Sequence, residues 1–355
     1  MKLRLSLVIL SCLASLLIGL VLARSGSSPA SAHVRAKPLI GLSLDTLKEE
    51  RWQRDRDTFV NAATRLGAEV RVQSANSDDV RQVADVQTLI TEGVDVIVIA
   101  PHNGDAMAKA VRLAHEAGIP VIAYDRLIRN CDLDLYMTFD NLRVGELQGQ
   151  FIADALPRFA GRKMRLMRLY GAKTDNNAVV FKQGQDKVLE PLIKSGAIEI
   201  VHEDWVDDWR PENAKKVVNA VLNKAGHQLD AILASNDGTA GGAIQALLEE
   251  GLAGRVLVTG QDADLAACQR IVAGTQSMTI YKPLKKLAEQ AAEYAVKLAQ
   301  RRPVIATGSY DNGQGKIPTV QVEVIAVTKE NMRETVVQDG FHPADAIYKG
   351  TPPAQ

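Results

Sequence analysis

The run VDVIVIAP, residues 94–101, decides the fold. Val96 to Ala100 is apolar at every position, with no polar residue in between. A strand wetted on one face alternates apolar with polar, whereas one covered on both faces does not. The run is β-branched and too short for a helix, and Pro101 closes it. The polar HNG of 102–104 follows, and 103–117 then has the 3.6-residue apolar period of a helix. Residues 94–117 therefore predict one strand–helix unit of a parallel sheet covered by helices on both faces.

The same unit recurs in both directions. Upstream lie strand PLIGLSLD with helix 49–66, then strand AEVRVQSA with helix 77–92. Downstream come strand IPVIAYD, a loop with LDLYMTFD, helix 141–156, strand 163–170, helix 177–194, strand 197–203 and helix 211–225. LDAILASND with helix 238–250, RVLVTGQD with helix 264–273, and SMTIYKP with helix 283–300 complete the series. About ten such units exceed one comfortable sheet. The fold class expected is α/β, as two Rossmann-like lobes with parallel sheets; a single mixed sheet is the alternative. After residue 303 the pattern breaks. TGSYDNGQGKIPTV reads as a Gly-rich crossover loop, and QVEVIAV as a closing edge strand.

The first 32 residues differ from the rest. Lys2 and Arg4 precede an apolar run over 5–23, and RSGSSPASA follows. This is the pattern of a secretory signal peptide cut after Ala32; an uncleaved anchor is the alternative. With 42 basic and 42 acidic residues the chain carries no charge excess that would recruit nucleic acid. Cys12 lies in the leader and is badly placed for lipid attachment. Cys131 and Cys268 are far apart and fit two buried thiols, with a single bridge as the other option.

Ligands of open α/β sheets bind beyond the carboxyl ends of the strands. Those ends supply Asp45, Arg51 and Trp52; PHNG at 101–104; Tyr124, Asp125 and Arg126; Asp140 and Asn141; then Asp175, Asn176 and Asn177. Trp205 and Trp209, Asn236 and Asp237, Gln261 and Asp262, and Tyr281 with Lys282 follow. Asp or Asn before a helix is ordinarily an N-cap, which alone accounts for Asp140, Asp175, Asn236 or Asp262. Caps do not require Arg51, Arg126, Lys282 or two tryptophans. Three carboxylates among three cations would repel both anions and cations. A neutral, hydroxyl-rich molecule suits such a set, since each hydroxyl donates to a carboxylate and accepts from a cation or amide. An indole covers the apolar face of a sugar ring, so Trp52 and Trp209, one from each lobe, are placed to sandwich it.

Other chemistries lack their signatures. There is no G-x-x-x-x-G-K-[ST] phosphate loop and no G-x-S-x-G elbow. DNGQG at 311–315 lacks the acid spacing of a calcium loop. The six histidines, at 33, 102, 115, 202, 227 and 342, show no ligand spacing and read as surface residues. No catalytic residue, metal or cofactor is expected.

Long blocks, including ERWQRDRDTFV, GVDVIVIAPHNG, AYDRLI, FDNLRVGELQ, WVDDWRPENA, ASNDGTAGGAIQAL and GQDADLAACQRI, carry a family resemblance. Over about 38–345 the chain resembles the D-xylose-binding family of bacterial ABC transporters, within the type I periplasmic binding protein superfamily. That resemblance implies a pentose site of Arg51, Trp52, Asp125 and Arg126 from one lobe and Asp175, Asn177, Trp209, Asn236 and Asp262 from the other, with Lys282 at the hinge. It implies a three-segment hinge, an N-terminal lobe of 38–140 completed by 283–307, and a C-terminal lobe of 141–282 completed by 318–345. PHNG departs from relatives that have an aromatic before the Asn.

The function expected is extracytoplasmic capture of D-xylose or a related monosaccharide by a periplasmic monomer that delivers it to an ABC transporter membrane permease. The alternative is a sensing subunit that presents sugar to a membrane sensor kinase or chemoreceptor. A repressor on the same fold would need an N-terminal helix-turn-helix where the leader lies. A sugar-converting enzyme would use the carboxylates as acid and base, which a ligand-matched set does not favour.

Overall fold

The computed structural model describes residues 36–225 and 228–349. The leader expected at 1–32 lies outside these residues. The described residues from Lys37 onward form one compact unit.

The first sheet has seven strands. β1 (Leu39–Leu44), β2 (Glu69–Ser74), β3 (Val96–Ala100), β4 (Val121–Tyr124) and β5 (Leu135–Phe139) run parallel in the order β5-β4-β3-β1-β2. Strand β3 is wholly buried. Val96, Val98 and Ala100 enter the core shared with Phe59, Leu287 and Ala291, while Ile97 and Ile99 enter the opposite one with Leu89 and Val111. That two-sided burial is why its sequence shows no alternation. Helices α1 (Glu50–Arg65), α2 (Asp79–Thr91) and α3 (Ala108–Glu116) connect these strands.

The second half starts with α4 (Asn141–Asp154) and has a four-stranded parallel sheet, β7-β6-β8-β9. Its strands are β6 (Met164–Tyr170), β7 (Ile198–Trp205), β8 (Ala231–Ala234) and β9 (Leu257–Val258). Strand β8 divides as β3 does, with Ala231 and Leu233 on one face and Ile232 and Ala234 on the other. Helices α5 (Asn176–Lys194), α6 (Pro211–Ala225), α7 (Asp237–Glu249) and α8 (Leu265–Ala273) complete the units. Strand β10 (Thr279–Tyr281) extends this half: Ile280 N–H donates to Gly260 O at 3.2 Å and Asp262 N–H to Ile280 O at 2.8 Å.

The chain passes between the halves three times, at 139–141, 281–284 and 322–325. Helix α9 (Leu284–Ala299) returns to pack on α1 and the first sheet. The stretch expected to be a Gly-rich loop is instead a hairpin of β11 (Gly308–Asp311) and β12 (Lys316–Val322). Asn312 builds the turn by accepting from the Gln314 and Gly315 amides, and β12 lies parallel to β5. The tail 318–345 is thus divided: residues through Val322 sit in the first sheet, while β13 (Ile325–Val327) pairs antiparallel with β10. A short α10 (Ala344–Ile347) follows. Cys131 and Cys268 are both buried free thiols.

Candidate functional site

The charged stretch at 49–59 is resolved by helical period. Arg51, Trp52, Asp55 and Phe59 fall on the inward face of α1, while Arg56 and Asp57 pair with each other outside. All ten residues expected at the site line one small cavity at the carboxyl ends of the strands, together with Glu49, Phe181 and Gln261.

The first half supplies Arg51, Trp52, Asp125 and Arg126. The Arg51 guanidinium lies 4.0 Å and that of Arg126 5.1 Å from the Trp52 ring centroid. Two cations on one indole hold its plane and leave less of it to solvent. Arg51 binds Asp55 at 2.9 Å and Asp125 at 3.2 Å. Asp55 in turn accepts from the Tyr124 hydroxyl, which fixes the guanidinium from behind. Asp125 has a left-handed backbone, φ 62°. Its N–H donates to Met137 O at 2.7 Å, and its carbonyl accepts from Thr138 Oγ1 at 2.7 Å and Asn177 Nδ2 at 3.1 Å. These bonds offset the strain of that conformation in a non-glycine residue.

The second half supplies the rest. Asp175 and Asn236 are N-caps, accepting from the Asn177 and Thr239 amides, and both also line the cavity. The capping and site readings therefore coexist in one side chain. Asp140 only caps, accepting from Arg143 N. Asp262 caps nothing, because α8 starts after Asp264; it faces Lys282 Nζ at 2.8 Å and Arg51 at 3.7 Å. Close approach of α4 to α5 at Gly145, where a Cβ would stand 2.0 Å from Phe181 O, lets Asn141 donate to Asn177 Oδ1 at 2.9 Å. The Asn177 carboxamide is thus engaged by Asn141 and by Asp125 O, so it joins the halves as well as lining the cavity.

Trp209 sits edge-on to Phe181, with centroids 6.4 Å apart. Its backbone and that of Asp208 are left-handed, φ 57° and 51°. The indole lies directly on Gly171, where a Cβ would come within 1.9 Å of Trp209 Cη2. Its buried Nε1–H has no partner in the protein. Trp205 takes no part, packing instead on Tyr170 at 5.0 Å.

Sequence reasoning left Asp45 and His102 outside the site. Arg126 is held from both halves, by Asp45 at 2.7 Å and Asp175 at 2.9 Å. His102, expected at the surface, is mostly buried; its Nδ1 lies 3.0 Å from Asp45, and Asp208 is 3.9 Å from Nε2. The spacing search sought metal partners close in sequence, whereas the partner of His102 comes from another strand end. His342, also read as a surface residue, is fully buried against Ala263 O at 2.8 Å.

The carboxylates differ electrostatically. Burial would raise the Asp125 acid, but Arg51, Lys282 and Arg126 outweigh it and hold it below the usual range. Burial does raise Asp175, which Arg126 and the Asn177 amide only partly offset. Behind the wall, burial lifts the Asp237 acid to about 7 against the pull of Arg270, and nearby Asp262 adds to the rise. Among the described residues no group of three or more His, Cys, Asp or Glu is placed to hold a metal. The arrangement gathers charged hydrogen-bonding groups and two indoles around one small cavity.

A model of the periplasmic binding protein domain matches residues 40–303. The chain belongs to the periplasmic binding protein family, and is a binding protein rather than an enzyme. It is 49% identical to the D-xylose-binding periplasmic protein of Haemophilus influenzae, over 90% of this chain and 94% of that one. Its identity to the Escherichia coli protein of the same name is 46%, covering 88% and 93%. Among solved structures it is similar to a carbohydrate transporter solute-binding protein from Chloroflexus aurantiacus in complex with D-glucose. That match has a TM-score of 0.82 and 34% identity, covering 88% of this chain and 98% of the other. Among the described residues no helix is long and apolar enough to cross a membrane.

Proposed function

We propose that the chain captures D-xylose, or a closely related aldopentose, outside the cytoplasm and delivers it to an ABC-type sugar permease. The observation that carries this reading is the wall of the cavity: three cations paired with three carboxylates, with Glu49 beside them, between two tryptophans. Such a wall offers donors and acceptors in balance to a ring of hydroxyls and rejects a charged ligand. The names of the Haemophilus influenzae and Escherichia coli relatives support xylose as the sugar.

In this reading Arg51, Arg126, Lys282 and Asn236 donate to hydroxyl oxygens, and Asp125, Asp175 and Asp262 accept from hydroxyl protons. Trp52 and Trp209 cover the two faces of the ring, and Asn177 steadies the closed form. Residues 1–32 serve as the export signal. The lobes are 38–140 with 283–322 and 141–282 with 323–347, closing on the sugar about the three crossings. A ligand that touches both lobes favours the closed state, which a permease can tell from the open one by shape. Calorimetric titration of dialysed protein, with excess chelator, against xylose, arabinose, ribose, glucose and galactose tests the assignment. Heat with xylose and the weakest or no heat with the hexoses is expected. Binding of a sugar phosphate in place of xylose would overturn it.

A further inference from the structure

Every charged side chain expected at the cavity has a counter-charge: Arg51 and Lys282 share Asp125 and Asp262, and Arg126 takes Asp175. Glu49 does not. It lines the cavity, lies at the N-cap position of α1, and makes no side-chain capping bond. Its Oε2 is buried with no hydrogen-bond partner. Gln261, only 3% exposed, lines the same cavity, and its Oε1 is likewise buried without a partner.

Buried polar atoms are ordinarily hydrogen-bonded, and an exception requires an explanation. Neither residue has a task in the fold that would explain it. Glu49 holds no helix end and no ion pair, and Gln261 follows β9 by three residues and lines the cavity. Both unmatched atoms are acceptors, whereas the unmatched indole N–H of Trp209 on the same wall is a donor. A polyol ring supplies hydroxyl protons to the first two and a hydroxyl oxygen to the third.

We infer that Glu49 and Gln261 are further sugar-contacting residues, each accepting a hydroxyl proton of the ring, and that Glu49 sets which hydroxyl pattern the site selects. This rests on the sugar-binding reading above. A carboxylate that accepts from one ring hydroxyl makes a charge-assisted bond, so a sugar lacking that hydroxyl leaves a buried charge unmatched and is rejected. Glu49 also borders a second small cavity with Asp45, His102 and Asp208.

The test titrates D-xylose and its monodeoxy analogues into the wild-type protein, Glu49→Gln, Glu49→Ala and Gln261→Ala, with ligand-free melting curves alongside. Glu49→Ala is expected to weaken xylose binding about tenfold or more, with Glu49→Gln in between. One deoxyxylose that binds the wild type poorly should bind Glu49→Ala no worse than xylose does, because the lost partner and the lost hydroxyl are the same bond. If Glu49→Ala does not fold, the near-isosteric Glu49→Gln carries the same comparison. Affinity within twofold of wild type in Glu49→Gln and Gln261→Ala, or losses additive with every deoxy analogue, overturns the assignment. No heat with wild-type protein and xylose overturns the sugar reading itself, and this inference with it.

Discussion

Arg126 lies 2.9 Å from Asp175 and 2.7 Å from Asp45, so one guanidinium ties the N-cap of α5 in the second half to the end of β1 in the first. Arg126→Ala leaves two buried carboxylates without their counter-charge. Xylose affinity is expected to fall by about 2–5 kcal/mol, the usual cost of truncating one partner of a buried charged pair. Calorimetry measures it; an unchanged affinity would place Arg126 outside the binding wall.

Trp209→Ala removes one aromatic wall. We expect a loss of about 1.5–3 kcal/mol in binding and less closure at a given sugar concentration. Small-angle scattering reads closure directly. The radius of gyration of wild-type protein should fall on saturation with xylose, and a constant value in calorimetrically saturated protein would sink the two-lobe mechanism.

Gly171→Ala tests the seat of that indole. The new Cβ would stand within 1.9 Å of Trp209 Cη2, so the ring must move toward the cavity. Overpacking of this kind costs about 1–3 kcal/mol. Weaker xylose binding and a changed tryptophan emission are expected, with an unaltered far-UV circular dichroism spectrum. Full affinity would show that the indole has room to shift without entering the site.

The pair of Asp45 and His102 gives stability a pH signature. Burial raises the Asp45 acid, yet the hydrogen bond from His102 and the Arg126 guanidinium bring it down to about 2 from 3.8. A depressed acid stabilises the fold above its unfolded value and loses that contribution as pH falls through the folded one, here between 3.8 and about 2. The amount is about 2 kcal/mol. His102 is raised from 6.5, chiefly by its hydrogen bond to Asp45. Its contribution is complete below 6.5 and is lost as pH rises through the higher folded value. Urea unfolding across pH should show both slopes in wild type, with the acid slope flattened in Asp45→Asn and the neutral slope in His102→Gln.

Burial pushes the Cys131 thiol up to about 12 and raises Cys268 further still. Neither should react with a thiol reagent in the native protein, and both should react after denaturation. Rapid native labelling would contradict the packing around them.

Much of this was legible in the sequence because parallel strands buried on both sides announce themselves: Val96–Ala100 and Ala231–Ala234 are apolar without interruption. The strand-end rule then gathered the ten expected residues within a longer set, and the family resemblance singled them out. The hairpin at 308–322 was hidden because β11 is a largely exposed edge with no apolar period, and Pro318 and three glycines mimic a loop. The Asn-Gly pair at 312–313 was the overlooked hairpin signal. Asp45 and Gln261 were among the strand-end residues but outside the expected site, and Glu49 was not singled out, because a lone acid or amide gives no sign of which way it faces. His102 escaped because its partner is distant in sequence and near only in the fold.

The pairing of β12 with β5 bears on how the molecule is made. Thr319 lies beside Tyr136, so β5 has no neighbour on that side until most of the chain has been synthesised. An open, apolar strand edge is a template for aggregation, and contacts so far apart in sequence form slowly. The chain emerging from the ribosome therefore cannot finish its first sheet early. It stays incompletely folded through most of its synthesis, and the apolar edge of β5 is covered only when Lys316–Val322 arrives.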